Sequence, residues 1–320
     1  MNKINYLITL CILCLSGAAM PQSYPNKSVR LIVPNGAGSQ PDIVARMVAE
    51  RISRRLGQQF LVENNIAGAG IVGAQQAAKS PPDGYTLFMG SASAIASNLV
   101  MFKSLPYDPN KDFVPVAGLV DNGPYVLAVH PDVPVKNFVE WMALAKAQPG
   151  KLSFAADAGL AGIIGRWLNH TAGIEVTHIP YKVIATSVQD TAGGRVEMIL
   201  ISPIAIAPFT ASGKLRTIAI SSAKRFPGME TIPTIAETLP GFQIGGWFVL
   251  MAPTGTPADI TQRLNREVDL YLKEPEVLER FRTFGFSTSG AGTPQSLQEF
   301  IRTEQARWVR IAKEVGVEPQ

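Results

Sequence analysis

Four short loops concentrate the residues that could hold a ligand, and each follows a run of apolar residues. The first is Asn35-Gly36-Ala37-Gly38-Ser39-Gln40-Pro41-Asp42. Its small residues leave main-chain N–H groups accessible where a helix begins, and those groups together with the helix dipole favour an anion. Ser39 and Asp42 also have the spacing of a capping box, with Ser39 as N-cap and Asp42 at the third helical position. The two uses are compatible. The second loop, Gly68-Ala69-Gly70-Ile71-Val72-Gly73, is formally a G-x-G-x-x-G. A dinucleotide site would require an acidic residue about 20 positions on, at the end of the next strand. That strand ends at Met89-Gly90-Ser91 without a carboxylate, so a helix-entry turn is the better account. In the third loop Ser91, Ala92 and Ser93 follow a strand directly; they either offer hydrogen bonds to a ligand or leave Ser93 to cap the next turn. The fourth, around Ala156, Asp157 and Gly159, repeats the design of the first in the other half of the chain.

Catalytic arrangements are missing from this pattern. There is no G-x-S-x-G elbow, and His130, His170 and His178 stand in no metal-ligand spacing. No pair of carboxylates stands out as an acid/base couple. The expectation is a binding protein with no catalytic residue, no metal and no cofactor. Lys and Arg number 29 against 25 Asp and Glu, a surplus spread along the chain. Nucleic-acid recognition would need a concentrated basic patch with interleaved aromatics, and there is none. A mild positive balance suits a small anionic ligand.

The elements that must position these loops alternate. Strands are predicted over 29–33, 60–62 and 86–89, with helices over 43–56 and 71–79 between them. This repeated β-α-β order implies a parallel sheet with helices on its faces. A polar, Pro-rich connector follows over 106–115. A second series then runs through strands at 125–129, 152–155, 176–179, 196–201 and 215–221, with helices at 138–146, 162–171 and 186–192. Residues 225–241 are loop-like. A strand at 248–252 and helices over 259–272, 276–284 and 294–315 complete the chain. In the last helix Leu297, Phe300, Ile301, Glu304, Trp308, Ile311 and Val315 share one mostly apolar face that must pack on something.

At 320 residues the chain exceeds the size at which one core stops growing. Connectors near 120 and 225 suggest that it leaves a first lobe and returns to it, which creates a hinge and a cleft. The expected division is 1–23 as a signal peptide, 24–122 and 223–320 as the first lobe with a C-terminal packing helix, and 123–222 as the second. Lys3, the apolar run 4–15 and the small residues 16–19 have the order of a secretory signal; about 12 apolar residues are too few to span a bilayer as a helix. Cys11 and Cys14, the only cysteines, both lie inside it. The mature chain is therefore expected in the periplasm without a thiol or disulfide.

Many short motifs in order give the chain a family resemblance. They include Tyr24-Pro25-Asn26-Lys27, Leu31-Ile32-Val33-Pro34, Val62-Glu63-Asn64 and Pro82-Asp83-Gly84-Tyr85-Thr86-Leu87. Leu105-Pro106-Tyr107-Asp108-Pro109, Pro149-Gly150-Lys151-Leu152, His178-Ile179-Pro180-Tyr181-Lys182 and Ala252-Pro253-Thr254-Gly255-Thr256-Pro257 continue the series. On these the mature length resembles the Bug family, substrate-binding receptors of tripartite tricarboxylate transporters. The resemblance implies a two-lobed α/β fold of the type II periplasmic binding class with a central cleft. It also implies that the first loop and the second-lobe glycine loop hold a small carboxylate, and that the receptor, a monomer, delivers it to membrane permease subunits. Asn35, Gly36 and Ser39 stand where the family has Phe, Pro and Gly, and Val183 stands where it has Gly. A periplasmic sensing partner would need the same clamp; a periplasmic hydrolase is disfavoured by the missing nucleophile and base.

Overall fold

The computed structural model describes residues 24–157 and 159–319, so the predicted signal segment and both cysteines lie outside the described residues. Two five-stranded sheets organise the rest. The first is built from β1 (Val29–Val33), β2 (Phe60–Asn64), β3 (Thr86–Ser91), β4 (Phe113–Pro124) and β10 (Gly245–Pro253), in the order β2-β1-β3-β10-β4. The second contains β5 (Val126–Val129), β6 (Ser153–Ala156), β7 (Thr177–Pro180), β8 (Met198–Ile201) and β9 (Arg216–Ile220), in the order β7-β6-β8-β5-β9.

The helices of the first lobe are α1 (Gln40–Leu56), α2 (Ile71–Ala78) and the short α3 (Asn98–Met101), joined later by α8 (Ala258–Leu272), α9 (Pro275–Thr283) and α10 (Pro294–Glu314). Those of the second are α4 (Phe138–Ala147), α5 (Leu160–Ala172), α6 (Ile184–Ala192) and α7 (Pro203–Ala211). Helix α1 shows how sequence makes them. Val44, Met47, Val48 and Ile52 recur at helical spacing and are buried. Gly57 ends the helix in the left-handed region, its N–H donating to the Ser53 carbonyl at 3.0 Å.

The sheets are mixed, which corrects the expectation of parallel ones. In the first, β2, β1 and β3 are parallel, while β10 runs antiparallel to both β3 and β4. In the second, β7, β6 and β8 are parallel, and β5 runs antiparallel to β8 and β9. The two reversed strands are those by which the chain enters from the other lobe. A strand that enters at the edge where its neighbours end must run against them.

Strand β4 is a second departure, because its N-terminal part was assigned to a connector. Pro115, Gly118, Gly123 and Pro124 argue against a strand by composition, yet β4 lies at a sheet edge, where a missing N–H or an irregular ladder is tolerated. Helix α7, which begins at Pro203 and contains Pro208, and a π-helical turn over Ser93–Ser97 were also absent from the sequence reading. The π register releases carbonyls that other side chains satisfy: the Tyr107 hydroxyl donates to Ala94 O at 2.7 Å and Gln305 Nε2 to Ile95 O at 2.9 Å.

The crossings between lobes are unequal. From β4 to β5 the chain spends one residue, Tyr125; from β9 to β10 it takes 221–244, with a single 3-10 turn at Ile235–Glu237. Ser221, fully buried, clasps the two together. Its Oγ accepts the Tyr125 N–H at 2.8 Å and donates to the Ile244 carbonyl at 2.6 Å. Its main-chain N–H donates to Tyr125 O at 2.8 Å, and its carbonyl accepts Ile244 N–H at 3.0 Å.

Behind the crossings α10 buries Leu297, Ile301, Trp308 and Ile311, the apolar face expected of it. Buried Glu304 accepts from Trp247 Nε1 at 3.2 Å and pairs with Arg307 at 2.9 Å. The helix also reaches the second lobe, where Glu314 accepts from Trp167 Nε1 at 2.8 Å and Trp167 stacks on Phe242 at 4.2 Å. One apolar core thus runs from sheet to sheet, with a further core on the outer side of each.

Replacing Ser221 with Ala leaves the Tyr125 N–H and one bond to the Ile244 carbonyl unmade in a buried place. The expected loss is about 1–3 kcal/mol of unfolding free energy, measurable by chemical denaturation. An unchanged midpoint would show that the clasp carries no load.

Candidate ligand-binding cleft

Strand directions decide where the loops lie. Four strands of each sheet end on the same edge, and Tyr125 joins one such edge to the other with a single residue. The loops after β1, β2 and β3 therefore border the same hinge as those after β6, β7 and β8. Open α/β sheets bind ligands at this carboxyl edge.

The first loop, residues 34–39, lies on the first-lobe wall. Ser39 is at the N-cap position of α1 but makes no capping bond, which corrects the capping-box expectation. Asp42 turns instead toward the loop. It is almost wholly buried, with Oδ2 accepting Gly38 N–H at 2.8 Å and Arg46 Nε at 3.0 Å, and Oδ1 accepting Asn64 Nδ2 at 2.9 Å. Asn64 Nδ2 also donates to Asn35 O at 2.9 Å. Asp42 is thus the prop of the loop, its oxygens saturated by protein donors. Gly38 turns the chain at φ +78, a conformation costly for a residue with a side chain. With Asp42 turned inward, Asn35 Oδ1, Ser39 Oγ and Gln40 Nε2 are buried atoms without a hydrogen-bond partner.

The glycine-rich turn after β2 supports this loop from below. A Cβ on Gly70 would lie 2.3 Å from Pro34 O, so only glycine lets the two turns touch. That contact explains the G-x-G-x-x-G spacing as a packing device. After β3, Ser91 Oγ lies 2.9 Å from Ser93 Oγ and accepts Ala94 N–H at 3.4 Å. Ser91, not Ser93, meets the following turn. Ser91 and Ala92 are buried, and Ser93 is half-buried.

On the second-lobe wall Ala156 is buried, while Asp157 is open to solvent with protein on most sides, as at the foot of a cleft. Its Oδ1 accepts Gly159 N–H at 2.7 Å, and burial pushes its carboxyl up. Tyr125 and His178 complete this wall, and neither was selected from sequence. The Tyr125 hydroxyl is pushed up by burial and by the charge of Asp157. His178 stacks on Phe154 at 4.8 Å, and its Nε2 is buried without a partner. Burial holds the imidazole below its ordinary value, favouring the neutral form. A Pro-aromatic pair at a strand-to-strand junction is the signal that marks Tyr125. His130 and His170 lie elsewhere, His130 facing Asp132 at 3.6 Å. Among the described residues no group of three or more His, Cys, Asp or Glu could hold a metal, and no helix is long and apolar enough to cross a membrane.

A cavity of about 520 Å³ opens on the second lobe, between α7 and β9. Pro203, Ile206 and Leu215 line it with few polar groups converging. We place the site in the cleft, where unpartnered polar atoms gather.

Two α/β lobes joined by two crossings, with polar loops on both sides of the joint, define a solute-binding receptor. The match to the tripartite tricarboxylate transporter family receptor model, over residues 44–317, is specific, and the chain belongs to that family. Among solved structures, Rpa4515 of R. palustris with adipate shares 34% identity, with coverage of 93% of this chain and 100% of that one and a TM-score of 0.85. The periplasmic binding protein BugD shares 29%, with 93% and 100% coverage and a TM-score of 0.81. MatC from Rhodopseudomonas palustris with bound malate shares 28%, with 90% and 99% coverage and a TM-score of 0.78.

The prop on the first loop makes a pH-dependent contribution. Burial alone would raise the Asp42 carboxyl, but donors from Arg46, Gly38 and Asn64 outweigh it and hold it below the usual range. Such a group stabilises fully above its unfolded pKa of about 3.9, and that contribution is lost as pH falls through the lower folded value. Asp42→Asn should cost about 1–3 kcal/mol at neutral pH, and the gap from wild type should narrow below about pH 4. Denaturant titrations of both proteins across that range read the effect.

Proposed function

We propose that this chain is a periplasmic receptor that captures a small organic carboxylate in the cleft and delivers it to the membrane permease of a tripartite tricarboxylate-type transporter. One observation carries the proposal: Asn35 Oδ1, Ser39 Oγ and Gln40 Nε2, unpartnered and buried, surround the first turn of α1 at the carboxyl edge of its sheet. The first-turn N–H groups of a helix have no intrahelical partner, and the dipole favours negative charge beside them. Adipate in Rpa4515 and malate in MatC are carboxylates held by relatives of this fold. Binding is what the site is arranged for; no nucleophile and base are paired in it, and turnover is not part of the proposal.

The contacts follow from the loops. Gly36 and Ala37 offer main-chain donors to the carboxylate and Asn35 and Ser39 their side chains, while Gly38, its N–H held by Asp42, keeps the loop in shape. Ser91, Ala92 and Ser93 border it on the same lobe. Ala156, Asp157 and Gly159 face it from the other. The proposed lobes are 24–122 with 223–320, and 123–222, acting as a monomer. Shared contacts across the hinge favour the closed form only if both walls touch the ligand.

Thermal-shift screening of mature protein against mono- and dicarboxylates tests the capture. A ligand at 100 times its dissociation constant should add about 2.7 kcal/mol, and no shift by any carboxylate would refute the reading. Gly36→Val then probes the loop. A Cβ there meets nothing within 4 Å and its φ is not positive, so the fold should hold. Affinity for the best carboxylate should fall about tenfold or more, roughly 1.4 kcal/mol, with an unchanged melting temperature of the free protein. Calorimetry showing equal affinity would move the anion subsite off this loop.

A further inference from the structure

Asp157 occupies the second-lobe position where a carboxylate would otherwise be received. Its Oδ1 accepts the Gly159 N–H at 2.7 Å, and the Ala161 N–H also bonds to the carboxylate. The Gly159 N–H at the mouth of α5 is therefore already taken by the protein's own anion. A second carboxylate brought beside the first would be repelled by its charge. Among the described residues no Lys or Arg pairs with Asp157; the only positive influence on it comes from His178, which burial keeps neutral. The Tyr125 hydroxyl lies close enough to feel the charge of Asp157 and can accept a hydrogen bond. The wall thus presents a carboxylate satisfied on its helix side and unpaired on its cleft side, in a place where burial already opposes its charge. Left without a protein cation on that open side, the carboxylate is available to a cationic partner.

We infer that Asp157 makes the second-lobe wall a subsite for a cationic hydrogen-bond donor, so that the favoured ligand carries a carboxylate at one end and an ammonium at the other. This rests on the receptor reading. The carboxylate goes to the first loop, where the protein supplies donors and no free anion. The ammonium goes to Asp157, with Tyr125 beside it. Asp157 is then the residue that sorts amino acids from dicarboxylates of the same length. A protonated Asp157 donating to a second carboxylate is the opposite arrangement and predicts the opposite preference.

Calorimetry with three matched pairs separates them: 4-aminobutanoate against succinate, 5-aminopentanoate against glutarate, and 6-aminohexanoate against adipate. In at least one pair the amino acid should bind about tenfold or more tighter. Asp157→Asn keeps the size and an oxygen for Gly159 N–H, and should narrow or reverse that ratio while the free protein melts as before. Tighter binding of the diacid in every pair, or a ratio unchanged in Asp157→Asn, overturns the inference and leaves the receptor reading intact. Binding of other carboxylates but none of these amino acids overturns it as well. If no carboxylate binds at all, the receptor reading falls and this inference with it.

Discussion

One buried hydroxyl holds the two halves of this molecule in register. Ser221 is the first residue of the long return crossing, and it bonds to Tyr125 on the short crossing and to Ile244 at the end of the long one. Those bonds keep the carboxyl edge of one sheet beside that of the other. Every loop assigned to the site depends on that alignment. The four parallel strands of each lobe deliver their loops to a common edge, and the reversed strands β5 and β10 leave from it. Without the clasp the loops would still form locally, and the shared core and α10 alone would keep them facing one joint.

The two walls are made differently, and chemistry follows from the difference. In the first lobe the protein's carboxylate, Asp42, is pulled away from the cleft by Gly38, Arg46 and Asn64. That leaves the mouth of α1 with polar atoms still seeking partners. In the second lobe the carboxylate of Asp157 stays at the mouth of α5 and accepts the Gly159 N–H. The same type of helix entry thus carries unpartnered polar atoms in one wall and a carboxylate in the other. A carboxylate's position relative to its helix, more than its presence in the loop, sets the sign of the surface.

Much of this was legible in the residues. Alternating apolar runs and helical spacings gave the two α/β series, and the motifs from Tyr24 to Pro257 tied them to one family of receptors. What escaped was set by tertiary context. Pro115, Gly118 and Pro124 read as connector because propensity cannot know that β4 lies at an edge. The antiparallel sense of β5 and β10 depends on which lobe the chain has just left, which no local pattern records. Ser39 and Asp42 had capping-box spacing, but three donors around Asp42, all of them outside that spacing, won its oxygens. Asp157 followed by Gly159 has the signature of an Asx turn, a signal present in the sequence and passed over. Tyr125 and His178 belong to the site only through the meeting of strands distant in sequence.

The inequality of the two crossings constrains how the lobes can move. A link of one residue fixes the distance between the sheet edges and leaves orientation as the freedom. Tyr125 is therefore a pivot, and any rotation about it acts as a lever. Atoms near Gly123 and Gly246 would barely shift, whereas the loops beyond β2 and β7, the outermost strands, would sweep the widest arcs. Ile66 and Val72 stand exposed at one of those tips, Val183 and Ile184 at the other. A small turn at the fulcrum is thus magnified at the rim, where apolar side chains meet water.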